Sequence, residues 1–171
     1  MNPFRWSFRV QFLLGFLVCA SLLGYALYVQ FVQALEPCPS WICPPLAFAA
    51  TGVSCLLGAW HGPRSSSGRR VYGVLAFIAA AVGIGIAGRH SWVQVFPPAM
   101  PSCGPGWDYM IETNTWLGVV QKVLFAKGDC STIDWSFLGL SMPMWSMVWF
   151  IALAVWALWA GFRARKTSTF R

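Results

Sequence analysis

Charged residues are what this sequence has least of. They make up 10% of its 171 residues, against 57% apolar residues and a mean hydropathy of +0.59, and a soluble domain of this size needs far more charge on its surface. That scarcity excludes a soluble globular fold and points to a bilayer. Acidic residues are rarest, five in all: Glu36, Asp108, Glu112, Asp129 and Asp134. No ionisable residue stands in the middle of an apolar run, which argues against a transporter, whose ion or proton path shows itself there. Neither an internal repeat nor a second domain is visible, and no metal site is expected. The net charge of +7 forms no joint basic and aromatic platform, so nucleic acid is excluded as a partner. It is accounted for by membrane orientation and by anionic lipid headgroups.

What is present is a set of four long apolar runs, at about 10–35, 44–60, 71–88 and 143–162. A helix needs about 20 mostly apolar residues to cross the hydrocarbon core, so the expected fold is an all-α integral membrane protein, a bundle of four transmembrane helices in one domain over 1–171. The first run is too long for the apolar core of a cleaved signal peptide and lacks a small-x-small site after it, so it is expected to remain as a helix. Pro44 and Pro45 are expected in the first turn of the second helix, where a missing N–H costs little. In the third run Ala79, Gly83 and Ala87 stand four apart, a spacing that lets helix backbones approach in lipid. Tryptophans such as Trp6, Trp92, Trp145 and Trp159 fall near run ends and read as an interfacial belt.

Orientation follows from the basic residues. Arg5, Arg9, Arg64, Arg69, Arg70, Arg163, Arg165, Lys166 and Arg171 lie on one side of a four-span chain, and Arg89, Lys122, Lys127 and all five acids lie on the other. Short loops rich in Lys and Arg stay cytoplasmic, so both termini are expected there. A short outer loop, 36–43, and a long one, 89–142, then face the opposite side. A loop as long as the second is usually functional. Its prolines and glycines around Cys103 break regular structure, whereas Ile133, Phe137 and Leu140 predict a short amphipathic helix over 133–140 in the headgroup plane.

Four of the six cysteines, Cys38, Cys43, Cys103 and Cys130, fall in these outer segments, where disulfides persist. A bond between Cys103 and Cys130 would staple the long loop and, by chain entropy, stabilise it by about 3.6 kcal/mol. A ring closed by Cys38 and Cys43 encloses little chain, already stiffened by Pro37, Pro39, Pro44 and Pro45. It suits electron transfer better than stapling, because strained disulfides are more readily reduced. Four cysteines allow three connectivities, and the residues alone leave the choice open. Cys19 and Cys55 each lie within an apolar run and read as packing.

The chain resembles the DsbB family of disulfide bond formation proteins of bacterial inner membranes. The resemblance rests on the order of four spans, on Glu36-Pro37-Cys38, and on Gly88-Arg89-His90-Ser91-Trp92-Val93-Gln94. It extends to Cys103-Gly104-Pro105-Gly106, to Lys127-Gly128-Asp129-Cys130, and to Trp135-Ser136-Phe137-Leu138-Gly139-Leu140-Ser141-Met142-Pro143. It implies an oxidoreductase that reoxidises a periplasmic DsbA-like dithiol carrier by thiol–disulfide exchange and passes the electrons to a membrane quinone, ubiquinone or menaquinone. Cys103 would receive the carrier thiolate, Cys130 would relay to Cys38, and Cys43 would be the terminal thiolate beside the quinone. Arg89, His90 and Gln94 are the residues expected to contact the quinone.

One departure falls close to that chemistry. Family members usually carry Cys-x-x-Cys after the Glu-Pro and an arginine four residues beyond the second cysteine. Here Trp41 and Pro45 occupy those positions, so Cys43 must serve from two residues later, giving Cys-x4-Cys. At the N-cap of the second helix it would gain from the helix dipole, less the two N–H groups that Pro44 and Pro45 remove. Two other readings are a redox-inactive scaffold with two structural disulfides and a relative of the quinone-linked vitamin K epoxide reductases. Against the latter, Met142-Pro143-Met144 stands where those enzymes carry Cys-x-x-Cys.

Overall fold

The structure, a computed structural model, describes residues 7–32, 43–96 and 136–163 together with Thr115 and Gly118. Four helices dominate: α1 (Phe8–Val32), α2 (Cys43–His61), α3 (Ser66–Val95) and α4 (Met142–Phe162). Each is long and apolar enough to cross a membrane. A two-residue hairpin, β1 (Ser136–Phe137) and β2 (Leu140–Ser141), precedes α4. Consecutive helices pack side by side, α3 against α4 most extensively, and α1 returns to touch α4.

The helices form where the apolar runs predict, with one difference in length. α3 continues through Arg89 and His90 to Val95, so the expected span of 71–88 becomes a helix of 30 residues, about 45 Å at 1.5 Å per residue. The reason is local: 66–96 contains no proline, and the backbone ladder continues where side chains turn polar. Ser65 caps its start, accepting a hydrogen bond from the Gly68 N–H at 3.1 Å. The helical turn takes in residues expected in the long loop, and that loop now begins after the helix rather than at Arg89.

The expected amphipathic helix over 133–140 is not formed in its described part. Instead Ser136 pairs with Ser141 and Phe137 with Leu140, around a turn in which Leu138 and Gly139 have φ of 53° and 79°. Two successive positive φ values match a two-residue primed turn, which follows strand twist. Gly139 adopts it freely, whereas Leu138 has a Cβ cost there. The spacing of Phe137 and Leu140 fits one helical turn but equally fits a cross-strand pair.

Packing in the bundle relies on small residues. The buried face of α3 runs through Gly73, Ala76, Ala80, Gly83, Ala87 and His90, so it passes through Ala80 and not the expected Ala79. At its basic end the α3 and α4 backbones nearly touch: a Cβ on Gly73 would lie 3.0 Å from both the Ala157 carbonyl oxygen and the Gly161 Cα. Higher up, Phe150 fills the space over Gly83 and stacks on Phe48 with ring centroids 4.0 Å apart. The α1–α2 seam is reciprocal, with Cys55 Sγ against Gly15 and the Cys19 Cβ against Gly52. Both thiols are free and buried, as packing predicts. Hydroxyls of Thr51, Ser54, Ser91 and Ser146 bond back to the carbonyl four residues earlier, satisfying themselves without water.

Among the described residues two buried side-chain groups are not satisfied, Gln11 Nε2 and Arg69 Nε. Gln11 is 2% exposed and its Nε2 has no hydrogen-bond partner. An unmet buried donor costs about 1–3 kcal/mol, and methionine fills a similar volume without it. Gln11→Met is therefore expected to raise the thermal unfolding midpoint in detergent, by about 1 kcal/mol in stability. A lowered midpoint would show that the amide has a stabilising role.

Candidate functional site

The cysteine end of the bundle is built from the start of α2, the last turns of α3 and the start of α4. Cys43 is the first helical residue of α2 rather than the cap before it, with Pro44 and Pro45 in the same turn. It is half-buried, and its thiol is free, the form it takes when reduced. Its expected disulfide partner Cys38 lies outside the described residues, as do Cys103 and Cys130.

The register of α2 and α3 sets the level of Cys43. Gly58 lies against Tyr72 and beneath the Phe12 ring. The two helices run in opposite directions at the same rise per residue, so the level of Cys43 on α2 corresponds to about Ala87 on α3. His90 lies one turn further along the same face of α3. It is 8% exposed, and neighbouring Ser91 is equally buried, its hydroxyl bonded to the Ala87 carbonyl at 2.9 Å.

Arg89 and His90, grouped by the sequence reading, part in the structure. His90 and Gln94 continue the buried small-residue stripe, three and seven positions beyond Ala87, whereas Arg89 stands exposed off that stripe. The helical period alone enforces this, since adjacent residues are about 100° apart around the axis.

Ser141 belongs to the same cluster and was missed in the sequence reading. It is 3% exposed and occupies the N-cap of α4, yet makes no capping bond. Its hydroxyl instead donates to Gln94 Oε1 at 2.5 Å, tying the hairpin and α4 to the end of α3. Its residue type directly before Met142-Pro143 is a helix-start signal, but nothing in the sequence announces that the hydroxyl leaves its own helix. Among the described residues no group of His, Cys, Asp and Glu could hold a metal ion.

The chemistry of this end is narrow. It offers one thiol at a helix start, one buried imidazole and one amide fixed by a serine, under an apolar core of Phe48, Ala80, Ala87, Phe150 and Leu153. An imidazole and an amide are donors for carbonyl oxygens, and the apolar core suits a flat ring, so these residues fit a quinone head group.

The fold and this end define a class, a polytopic four-helix membrane protein with a thiol at the mouth of the bundle. Comparison with known proteins narrows it. The sequence model of the family described as "Disulfide bond formation protein DsbB" matches residues 8–160. Disulfide bond formation protein B of Xanthomonas euvesicatoria pv. vesicatoria (strain 85-10) is 63% identical over 169 residues, 98% of each chain. That of Xanthomonas campestris pv. campestris (strain 8004) is 61% identical over 96% of each. That of Xylella fastidiosa (strain 9a5c) is 48% identical over 97% of this chain and 96% of its own. The chain belongs to the DsbB family of disulfide bond formation proteins, and it is a membrane oxidoreductase.

Proposed function

We propose that the chain reoxidises a periplasmic DsbA-like dithiol carrier and delivers the electrons to a quinone of the bacterial inner membrane, with both termini cytoplasmic. The observation that carries the quinone side is the convergence of Cys43, His90 and Gln94 at one end of an apolar bundle. Family membership supports the thiol side.

A carrier thiolate attacks Cys103 Sγ of a Cys103–Cys130 disulfide, forming a mixed disulfide and releasing Cys130 as a thiolate. Cys130 attacks Cys38 Sγ of a Cys38–Cys43 disulfide, so a Cys130–Cys38 bond forms and Cys43 is released. The second carrier thiolate attacks its own mixed-disulfide sulfur, leaving as an oxidised carrier and releasing Cys103. Two electrons have then moved from the carrier to the chain, and each leaving thiol is the next nucleophile. A bound quinone supplies the two-electron, two-proton sink.

The residues around Cys43 have separate tasks. Cys43, half-buried at the first residue of α2, is the thiol that would stand nearest the quinone. His90 and the Gln94 amide are donors for a quinone carbonyl, where negative charge develops. Ser141 is a positioning residue, holding Gln94 by its Oε1 so that the amide nitrogen is presented. Arg89, exposed at the same level, contributes positive charge at the rim.

The thiol side is tested with a carrier whose second cysteine is replaced by serine. Such a carrier cannot resolve its mixed disulfide and is expected to remain attached to Cys103 on a non-reducing gel. Adduct of equal yield in Cys103→Ser would overturn the entry point. On the quinone side, Ser141→Ala removes a tie but no cap, so the KM for quinone is expected to rise about fivefold, the scale of one hydrogen bond, with kcat little changed. A fall in kcat at unchanged KM would place Ser141 elsewhere in the mechanism.

A further inference from the structure

Forming a quinol takes two protons as well as two electrons, and the side of the membrane that supplies the protons follows from where this bundle keeps its acid–base groups. Its two histidines are split, His90 at the cysteine end and His61 at the basic end. His90 lies five residues from the outer end of α3, about 7.5 Å, but 24 residues from the inner end, about 36 Å. Among the described residues, the titratable or charged side chains that bear on it are Arg89 on α3 and Cys43 on α2. At this end α1 contributes Tyr25 and Tyr28, both exposed, and α4 and the hairpin contribute none.

Beneath this end the interior closes. Phe48 and Phe150 stack across it with ring centroids 4.0 Å apart and an interplanar angle of 14°, and Ala80, Ala87 and Phe150 have no exposed surface. Leu153 and Ala154 continue the same apolar core. The next buried polar side chain inward is Thr51, eight residues and about 12 Å along α2 from Cys43. Its hydroxyl is already bonded to the Ala47 carbonyl at 2.8 Å. The Cys19 and Cys55 thiols lie further in, wedged against Gly52 and Gly15. A hydrogen bond spans about 3 Å, so a proton moving outward from the basic end meets a gap several bonds wide, with an apolar stack across it and no side-chain relay among the described residues.

We propose that both protons of the quinol enter from the cysteine end, with His90 as the side chain that delivers them, so that turnover carries no charge across the bilayer; this rests on the quinone-linked reading above. The atoms balance on one side of the membrane. Two S–H bonds of the carrier are lost as its disulfide forms, and two O–H bonds form on the quinone oxygens; the carrier is oxidised and the quinone reduced. The protons shed by the carrier thiols and those taken up through His90 exchange with the same solution. Uptake from the basic end would instead move two positive charges outward for every quinone reduced.

The test uses the full-length protein in proteoliposomes containing ubiquinone, with reduced DsbA-like carrier outside, so that only molecules presenting the cysteine end outward turn over. A trapped pH dye and a voltage-sensitive dye read the lumen. Quinone absorbance is expected to fall with neither alkalinisation of the lumen nor a membrane potential, and an acid or an alkaline lumen is expected to give the same rate. Loss of two lumenal protons per quinone, with quinone reduction intact, would overturn the proposal alone. Absence of quinone reduction would overturn the reading beneath it, and shows in the absorbance before either dye responds. His90→Ala is expected to reduce quinone about a hundredfold more slowly, the low end of general acid catalysis, while still forming the carrier adduct, and to recover in added imidazole. Unaided turnover at the wild-type rate, or a loss that imidazole does not restore, would overturn the role of His90.

Discussion

Replacing Cys43 with serine is expected to abolish quinone reduction while leaving the carrier able to form its mixed disulfide with Cys103. Serine has the shape of cysteine but cannot join Cys38 in a disulfide, so electrons entering at Cys103 have no onward acceptor. The effect should be all or nothing, since no other described thiol is placed to substitute. Cys19 and Cys55 are both buried within the bundle, wedged against Gly52 and Gly15. Cys19→Ala and Cys55→Ala should consequently lose some stability and keep turnover. Reduction of quinone at the wild-type rate by Cys43→Ser would mean that the Cys-x4-Cys reading is wrong and that the terminal thiol lies elsewhere. The gel and the quinone assay together separate loss of the last step from loss of the first.

The second large effect is structural. Gly83→Val is expected to destabilise the bundle by about 3 kcal/mol, because a Cβ at Gly83 would lie 2.6 Å from Phe150 ring carbons. Phe150 is fully buried and stacked on Phe48, with interplanar angle 14°, so it cannot move without opening the contact between α2 and α4. Trimming the ring makes room: Gly83→Val with Phe150→Ala should recover part of the loss, a coupling that a double-mutant cycle reads directly. Gly73 offers the contrast. Its neighbours are the Ala157 carbonyl and the Gly161 Cα, backbone atoms that no substitution removes, so Gly73→Val should resist any such rescue. Unfolding midpoints in detergent would decide both, and a Gly83→Val midpoint equal to wild type would contradict the packing account. Since His90 and Gln94 continue the same face of α3, a loosened seam should also weaken quinone binding.

Much of this fold can be read from the residues alone. Four apolar runs gave four helices, and the proline pair at 44–45 marked the start of α2. The parts that were not legible have particular causes. Ile78 to Val82 contains three consecutive alanines, and a run of identical small residues cannot reveal which one faces inward; the structure selects Ala80. Arg89 and His90 resembled a loop because they are polar, although helix continuation depends on the backbone and on the absence of proline. Phe137 and Leu140 fit either a helical turn or a strand pair, and Leu138-Gly139 settled the matter by adopting positive φ.

For the site, residue types were more legible than directions. Cys43, His90 and Gln94 stood out in the sequence, but the burial of His90 and the exposure of Arg89 depend on where the α3 stripe points. Ser141 escaped because a serine before a helix ordinarily caps that helix, and this one instead reaches across to Gln94. Such a contact is tertiary, and only the packing of α3 against α4 creates it.

The most direct test of the central claim is quinone reduction by the purified full-length protein in detergent, supplied with a reduced DsbA-like carrier and followed by quinone absorbance. We predict turnover with ubiquinone or menaquinone that vanishes in Cys38→Ser. No turnover with either quinone, while two disulfides persist intact in the presence of reduced carrier, would contradict it and make the chain a disulfide-stapled membrane scaffold.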